Sequence, residues 1–185
     1  YGGAGTPLNL VDGGNGSPYY QSSPVIDLPF SVYFYGVEYN KITISTNGWI
    51  SFGESEMESF RNYPVPGPGG PSPMLAVFWD DLITVDWGDV IGDVFYSFDS
   101  LSSSLIIEWS NMKTYQHLSP ITMQVILFEN NYYSPLVNND ILIQYLDFNN
   151  TTNGYYPADS CPGCIIHGGF ATIGTESHNA SHGLQ

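Results

Sequence analysis

The sequence predicts an all-β fold, a two-sheet antiparallel β-sandwich of jelly-roll-like form with little or no helix. Composition is the first reason: aromatic residues make up 15% of the chain, led by 14 Tyr and 10 Phe. These side chains suit pleated strands, whereas the helix formers Ala, Leu, Lys, Glu and Arg are scarce. Patterning is the second reason. Short runs alternate apolar and polar residues and are cut by 20 Gly and 13 Pro, with Asn and Asp between them. Length is the third: 185 residues suffice for one full core and are short for two. A single domain over residues 1–185 is expected.

Taken in order, Thr6–Val11 alternates enough to pair as an edge strand. Pro24–Tyr35 and Lys41–Phe52 follow, the latter containing Asn47-Gly48, a pair suited to a turn or bulge with positive φ that returns Trp49 and Phe52 to the core. Met74–Trp79, Asp93–Phe98 and Ser104–Trp109 are short strands whose Phe78, Trp79 and Trp109 read as core aromatics. Ile121–Glu129 places Met123, Val125 and Leu127 on one face, and Asp140–Phe148 does the same with Ile141, Ile143 and Tyr145. Ile165–Thr175 is the last strand, and Glu54–Phe60 the one candidate helical turn. Tyr63–Pro73, rich in Pro and Gly, reads as an extended crossover between sheets, and Asn149–Gly163 as a polar loop.

Charge excludes two partner classes. Three basic residues, Lys41, Arg61 and Lys113, face 18 acids for a net charge of −15, so nucleic acid and anionic membrane are not expected partners. No apolar run approaches the ~18 residues of a membrane span, so membrane insertion is not expected either. The start at Tyr1 without Met is what signal cleavage would leave. Sequons at Asn15, Asn149, Asn150 and Asn179 and the pair Cys161-Pro-Gly-Cys164 fit export. In an oxidising compartment Cys161 and Cys164 read as a local disulfide that pins a turn, because no helix follows to activate a redox thiol.

The strand series also carries a family resemblance. Asp27-Leu-Pro-Phe-Ser-Val-Tyr-Phe-Tyr-Gly36, Ile44-Ser-Thr-Asn-Gly-Trp-Ile-Ser-Phe-Gly53, Ala76-Val-Phe-Trp-Asp-Asp-Leu82, Ala171-Thr-Ile-Gly174 and the closing Gly183-Leu-Gln185 occur in order. They resemble the LPFxFxFYG, SxNGxxxFG, FWDDL, ATxG and GLQ motifs of a family of bacterial secreted β-sandwich domains, and more distantly nidogen-type extracellular domains. The likeness runs from about Gly5 to Gln185. It implies a sandwich in an extracellular or surface protein and supplies no activity, since such domains accompany peptidases, adhesins and sorting signals. With no neighbouring enzyme or sorting domain in the sequence, the chain is expected to be itself the working unit.

Catalysis has no foothold in the sequence. No Ser lies in G-x-S-x-G, and no Gly-rich phosphate loop precedes a helix. His178 and His182 have a metal-like spacing only on a helix, and the residues between them read as loop. Asp80, Asp81, Asp86 and Asp89 form the densest carboxylate group. Hard oxygen ligands in a loop suit Ca²⁺, although the Gly-defined EF-hand spacing is absent and solvated strand-end aspartates are the plainer reading. No cofactor is required; calcium is the one candidate.

Two non-enzymatic functions survive. In the first, copies of the chain join head to tail into a fibre or surface array, with residues 1–11 as the inter-subunit segment and Thr6, Pro7, Leu8, Asn9, Leu10 and Val11 as the assembly strand. In the second, the chain is a carbohydrate- or cell-surface-binding adhesin module that stacks glycans on Tyr19, Tyr20, Tyr155 and Tyr156. The first is expected because a terminus such as Tyr-Gly-Gly-Ala-Gly frays unless something holds it. Pairing of that segment within its own sheet is the alternative.

Overall fold

A computed structural model describes residues 2–13, 22–115, 118–130, 138–148 and 171–185. Among them fourteen strands and no helix form. They are β1 (Thr6–Pro7), β2 (Ile26–Phe34), β3 (Val37–Ser45), β4 (Trp49–Phe52), β5 (Met74–Trp79), β6 (Leu82–Ile83), β7 (Val85–Asp86), β8 (Asp89–Val90), β9 (Asp93–Asp99), β10 (Ser104–Thr114), β11 (Pro120–Phe128), β12 (Ile141–Phe148), β13 (Thr172–Glu176) and β14 (Gly183–Leu184).

One sheet runs β1-β9-β10-β11-β12, with β6 on the far end of β10, and the other runs β14-β13-β5-β4-β3-β2. A separate β7–β8 hairpin stands beside them, and all pairings are antiparallel. The two sheets enclose a core of Val32, Phe34, Ile42, Ile44, Phe52, Leu75, Phe78, Leu105, Ile107, Trp109, Met123, Val125 and Leu127 among others, all buried. The sandwich is as the sequence predicts. Its connections are simpler than a jelly roll, because β2 to β5 and β9 to β12 are each meanders of sequential neighbours rather than interleaved Greek keys.

Local chemistry explains the turns. Tyr35 and Gly36 both take positive φ (49° and 74°), giving the two-residue turn that matches strand twist between β2 and β3. Thr46-Asn47-Gly48 ends β3 and starts β4, so the Lys41–Phe52 run is a hairpin and not one strand. Gly48, at φ 74°, lies where a Cβ would sit 2.0 Å from the Phe78 carbonyl oxygen. Its own carbonyl accepts both Val77 N–H and Phe78 N–H (2.9 and 3.0 Å), a bulge that turns Val77 and Phe78 both inward.

The Tyr63–Pro73 loop is not a crossover between sheets. It joins β4 to β5, neighbours in one sheet, and packs on that sheet's outer face. There Val65 and Tyr63 cover Trp49, Met74, Ala76 and Trp79, a second apolar cluster. Both indole N–H groups, of Trp49 and Trp79, donate to the Ser59 carbonyl at 2.9 Å. Glu176, wholly buried, holds the loop by accepting Gly67 N–H (2.6 Å) and the Ser72 hydroxyl, and the Gln185 Oε1 accepts Val65 N–H at 3.0 Å. The closing Gly-Leu-Gln is thereby a structural clasp. β4 and β5 are buried along their whole length as a result. Glu54–Phe60 forms no helical turn; its Ser59 is held as a carbonyl acceptor for the two indoles.

Candidate functional site

The N-terminal segment lies in a built socket on the β9 side of the first sheet. Thr6 and Pro7 face Tyr96 and Phe95 of β9, so the regular ladder is two residues long and shorter than the Thr6–Val11 expected. Pro7 has no N–H to extend it. Side chains hold the rest. Asp93 takes Asn9 N–H on Oδ2 (3.0 Å) and Leu10 N–H on Oδ1 (3.2 Å), while Leu8 N–H reaches the Val94 carbonyl at 2.8 Å. Leu10 inserts into the main core, and Asp12, fully buried, closes the segment. Its N–H donates to Thr84 Oγ1 (2.8 Å), its carbonyl accepts Thr84 and Val85 N–H, and its Oδ2 accepts the Thr46 hydroxyl at 2.6 Å.

Upstream, Gly2, Gly3 and Gly5 all have positive φ. A Cβ on Gly5 would meet the Tyr96 carbonyl oxygen at 2.6 Å, and one on Gly3 would press the Phe95 ring at 3.0 Å. Glycine is therefore demanded by the approach of this backbone to the sheet. Gly2 and Gly3 N–H both donate to Oε1 of Glu108 at 2.9 Å, while Gln124 Nε2 donates to its Oε2 at 2.7 Å. Burial alone would raise the Glu108 pKa. The hydrogen bonds from Gly3, Gln124, Ser110 and Gly2 outweigh it and hold the carboxyl below its ordinary value.

The sequence-expected calcium ligands are not brought together. Asp80 and Asp81 are buried at the end of β5, where Asp80 Oδ1 caps Asp81 N–H (2.9 Å) and the Asp81 carbonyl accepts Tyr115 N–H at 2.9 Å. Asp86 faces Lys113 Nζ at 4.0 Å, and Asp89 is exposed across the β7–β8 hairpin. Among the described residues no group of three or more His, Cys, Asp or Glu is placed to hold a metal. Adjacent strand residues point apart, and the hairpin carries the second pair away from the first. Asn179 is exposed, with its Oδ1 accepting the Ser181 hydroxyl at 2.6 Å. His178 lies within a turn and His182 follows it, so the two do not share a helix face. Asn15, Asn149, Asn150, Cys161, Cys164, Tyr19, Tyr20, Tyr155 and Tyr156 lie outside the described residues.

Sequence reasoning missed Glu108, Asp93, Asp12 and Thr84 as socket residues. Glu108 interrupts an apolar strand, Leu105-Ile-Ile-Glu-Trp109, which is a signal that its outer face is covered, but the covering glycines lie 105 and 106 residues away. Trp87 was also missed: it is 100% exposed, whereas Trp49, Trp79 and Trp109 are buried.

Among the described residues no helix is long and apolar enough to cross a membrane. A protein-family model described as NIDO related matches residues 8–178, which carries the nidogen-type side of the resemblance. Searches of curated proteins and of solved structures each give no match.

Proposed function

This chain belongs to the NIDO-related family, an extracellular-type domain family, and on that premise we propose that it acts outside the cell as a non-enzymatic structural subunit, joining copies of itself head to tail by exchange of the N-terminal segment. The observation that supports this is the socket. The segment's side-chain acceptors, Asp93, Thr84 and Glu108, lie 72 to 106 residues away in sequence, so the same contacts serve a segment from any copy of the chain. The described chain resumes at Ser22, which bridges to Ser45. At ~3.3–3.6 Å per residue, residues 13–21 span at most roughly 30 Å, so the exchange requires a neighbouring socket within that reach. A segment passed to a neighbour's socket makes a heterologous contact, and one that does not close on itself propagates as a filament.

Electron microscopy and sizing of concentrated protein test the reading. Wild-type protein forms fibres, a variant lacking residues 1–12 stays monomeric, and a synthetic peptide of residues 1–13 rebinds that variant and blocks growth when added to wild type. Wild-type protein that remains a 20.4 kDa monomer at every concentration overturns it. A carbohydrate- or cell-surface-binding role is the second reading, and one observation favours it: the exposed Trp87.

A further inference from the structure

The β7–β8 hairpin is the most conspicuous surface feature that the strand-exchange reading does not use. Val85 pairs with Val90 and Asp86 with Asp89, so the turn residues are Trp87 and Gly88. Both have positive φ, 50° and 94°, as a two-residue hairpin turn of this hand requires. Asn or Gly is the ordinary occupant of the first position, and a bulky aromatic there is strained. The indole also gains nothing from packing, since Trp87 is 100% exposed and neighbouring Val90 is 79% exposed. The site thus carries a large aromatic at a conformational cost, with no burial to offset it within this chain.

We propose that this hairpin is a carbohydrate-contact site. The open indole face of Trp87 stacks on the apolar face of a pyranose ring, and the carboxylates of Asp89 and Asp86 beside it accept hydrogen bonds from the sugar hydroxyls. The ligand is a glycan without acidic groups. Carboxylates flank the indole, and the chain carries a net charge of −15, so polyanionic glycans and anionic lipid surfaces are repelled. The one cation recorded at the hairpin, Lys113, already faces Asp86 at 4.0 Å. A protein partner fits less well. A stable protein interface needs about 800 Å² from each side, and the only large apolar groups this narrow hairpin exposes are Trp87 and Val90. A sugar ring or two matches that footprint. The site is independent of strand exchange and is open whether or not the chain polymerises.

The three other tryptophans are 0%, 1% and 0% exposed at positions 49, 79 and 109, so acrylamide quenching of indole emission reads Trp87 alone. The probes are cellohexaose, chitohexaose and mannohexaose at millimolar concentration. At least one is expected to cut the accessible quenching severalfold, and calorimetry with that sugar is expected to show binding that Trp87→Asn abolishes. Because Asn suits positive φ, the same variant should melt higher than wild type, which separates lost binding from lost folding. Asp89→Ala, which leaves the turn residues alone, should weaken binding severalfold with an unchanged melt. The proposal is overturned if none of the three sugars protects Trp87 or if Trp87→Asn still binds. It is equally overturned if heparin or phosphatidylcholine vesicles protect as well as the sugars do, or if protection appears with protein concentration alone, which would make a second copy the occupant.

Discussion

Replacing Glu108 should loosen the N-terminal segment by an amount that its hydrogen bonds set. Oε1 accepts two backbone N–H groups at 2.9 Å, and Oε2 accepts the Gln124 amide at 2.7 Å. Hydrogen bonds to a charged group contribute about 1.5–3 kcal/mol each. Gly2 is exposed and Gly3 half-buried, so the lower figure applies, and the two bonds together hold Gly2–Gly3 by about 3 kcal/mol. Glu108→Ala removes both, and opening of the segment should rise on the order of 100-fold. Glu108→Gln keeps a carbonyl oxygen and loses the charge, which halves the strength and should raise opening about tenfold. Amide exchange at Gly3 measures this directly, with Leu8 and Leu10, held by Val94 and Asp93, as internal controls. Acid gives an independent handle. Since the docked carboxyl titrates below the ordinary 4.5, the released form takes up a proton first as pH falls. Docking strength is therefore full above about pH 4.5 and lost as pH drops through the depressed docked value. Glu108→Gln should show a smaller acid dependence over that range. Exchange that changes less than about twofold in Glu108→Ala, or an acid-triggered release as large in Glu108→Gln as in wild type, would refute the reasoning.

Two further outcomes test the frame that carries the socket. Gly48→Ala puts a methyl 2.0 Å from the Phe78 oxygen at φ 74°, so it must strain the backbone and break the bulge bonds of Val77 and Phe78. A left-handed Ala costs about 1–2 kcal/mol and each lost bond about 1 kcal/mol, so urea melts should show a loss of about 3–4 kcal/mol. A loss below about 1 kcal/mol would contradict the bulge assignment. Tyr145 donates its hydroxyl to the Val77 carbonyl at 2.5 Å, and burial pushes its pKa up to about 12. The unfolded phenol ionises first, so this contribution is intact below pH 10 and is lost as pH rises toward 12. Ultraviolet titration of wild type against Tyr145→Phe should show one tyrosine ionising late.

The alternation of Ile121–Glu129 and Asp140–Phe148 was enough to place β11 and β12, because period two on a half-buried sheet is a local property. Met123, Val125 and Leu127 are each 0% exposed, as their spacing demands. Met74–Trp79 was bounded correctly for a similar reason, although both of its faces are buried and its bulge was invisible. What failed was anything decided at long range. The Pro-rich loop became a cover over Trp49 and Trp79 instead of a crossover, because the acceptor at Ser59 and the clasp at Glu176 sit far apart in sequence. The β7–β8 hairpin escaped notice since its strands have two residues each. The Asp80, Asp81, Asp86, Asp89 group illustrates the converse error: nearness in sequence implied a cluster that a strand end and a hairpin pull apart.

Three of the four sheet edges bear on why the proposed assembly would use side chains rather than a plain strand ladder; the fourth, β12, is an eight-residue edge that leaves Leu142, Leu146 and Phe148 exposed. At the β2 edge, Pro29 lacks an N–H and the register shifts between Asp27 and Val32, so an incoming strand finds a broken row. At the opposite edge β14 offers two residues. The β9 edge is regular over its seven residues, the kind of edge that invites indiscriminate pairing, yet the native occupant uses only two ladder positions of it. The remaining recognition is done by Asp93 and Glu108 on backbone N–H groups, by Thr84 and Thr46 on Asp12, and by the exclusion of any Cβ at Gly5. A generic β-strand satisfies the ladder and offers the same backbone N–H groups, but it lacks the bare Cα at Gly5 and the Asp12 carboxylate that takes the Thr46 hydroxyl. Only a segment with glycines ahead of Thr-Pro and an aspartate behind Leu-Val supplies both, and the segment that meets those conditions is the chain's own. Socket and segment are thus matched to each other, so the exchange between copies proposed above would favour the chain's own segment.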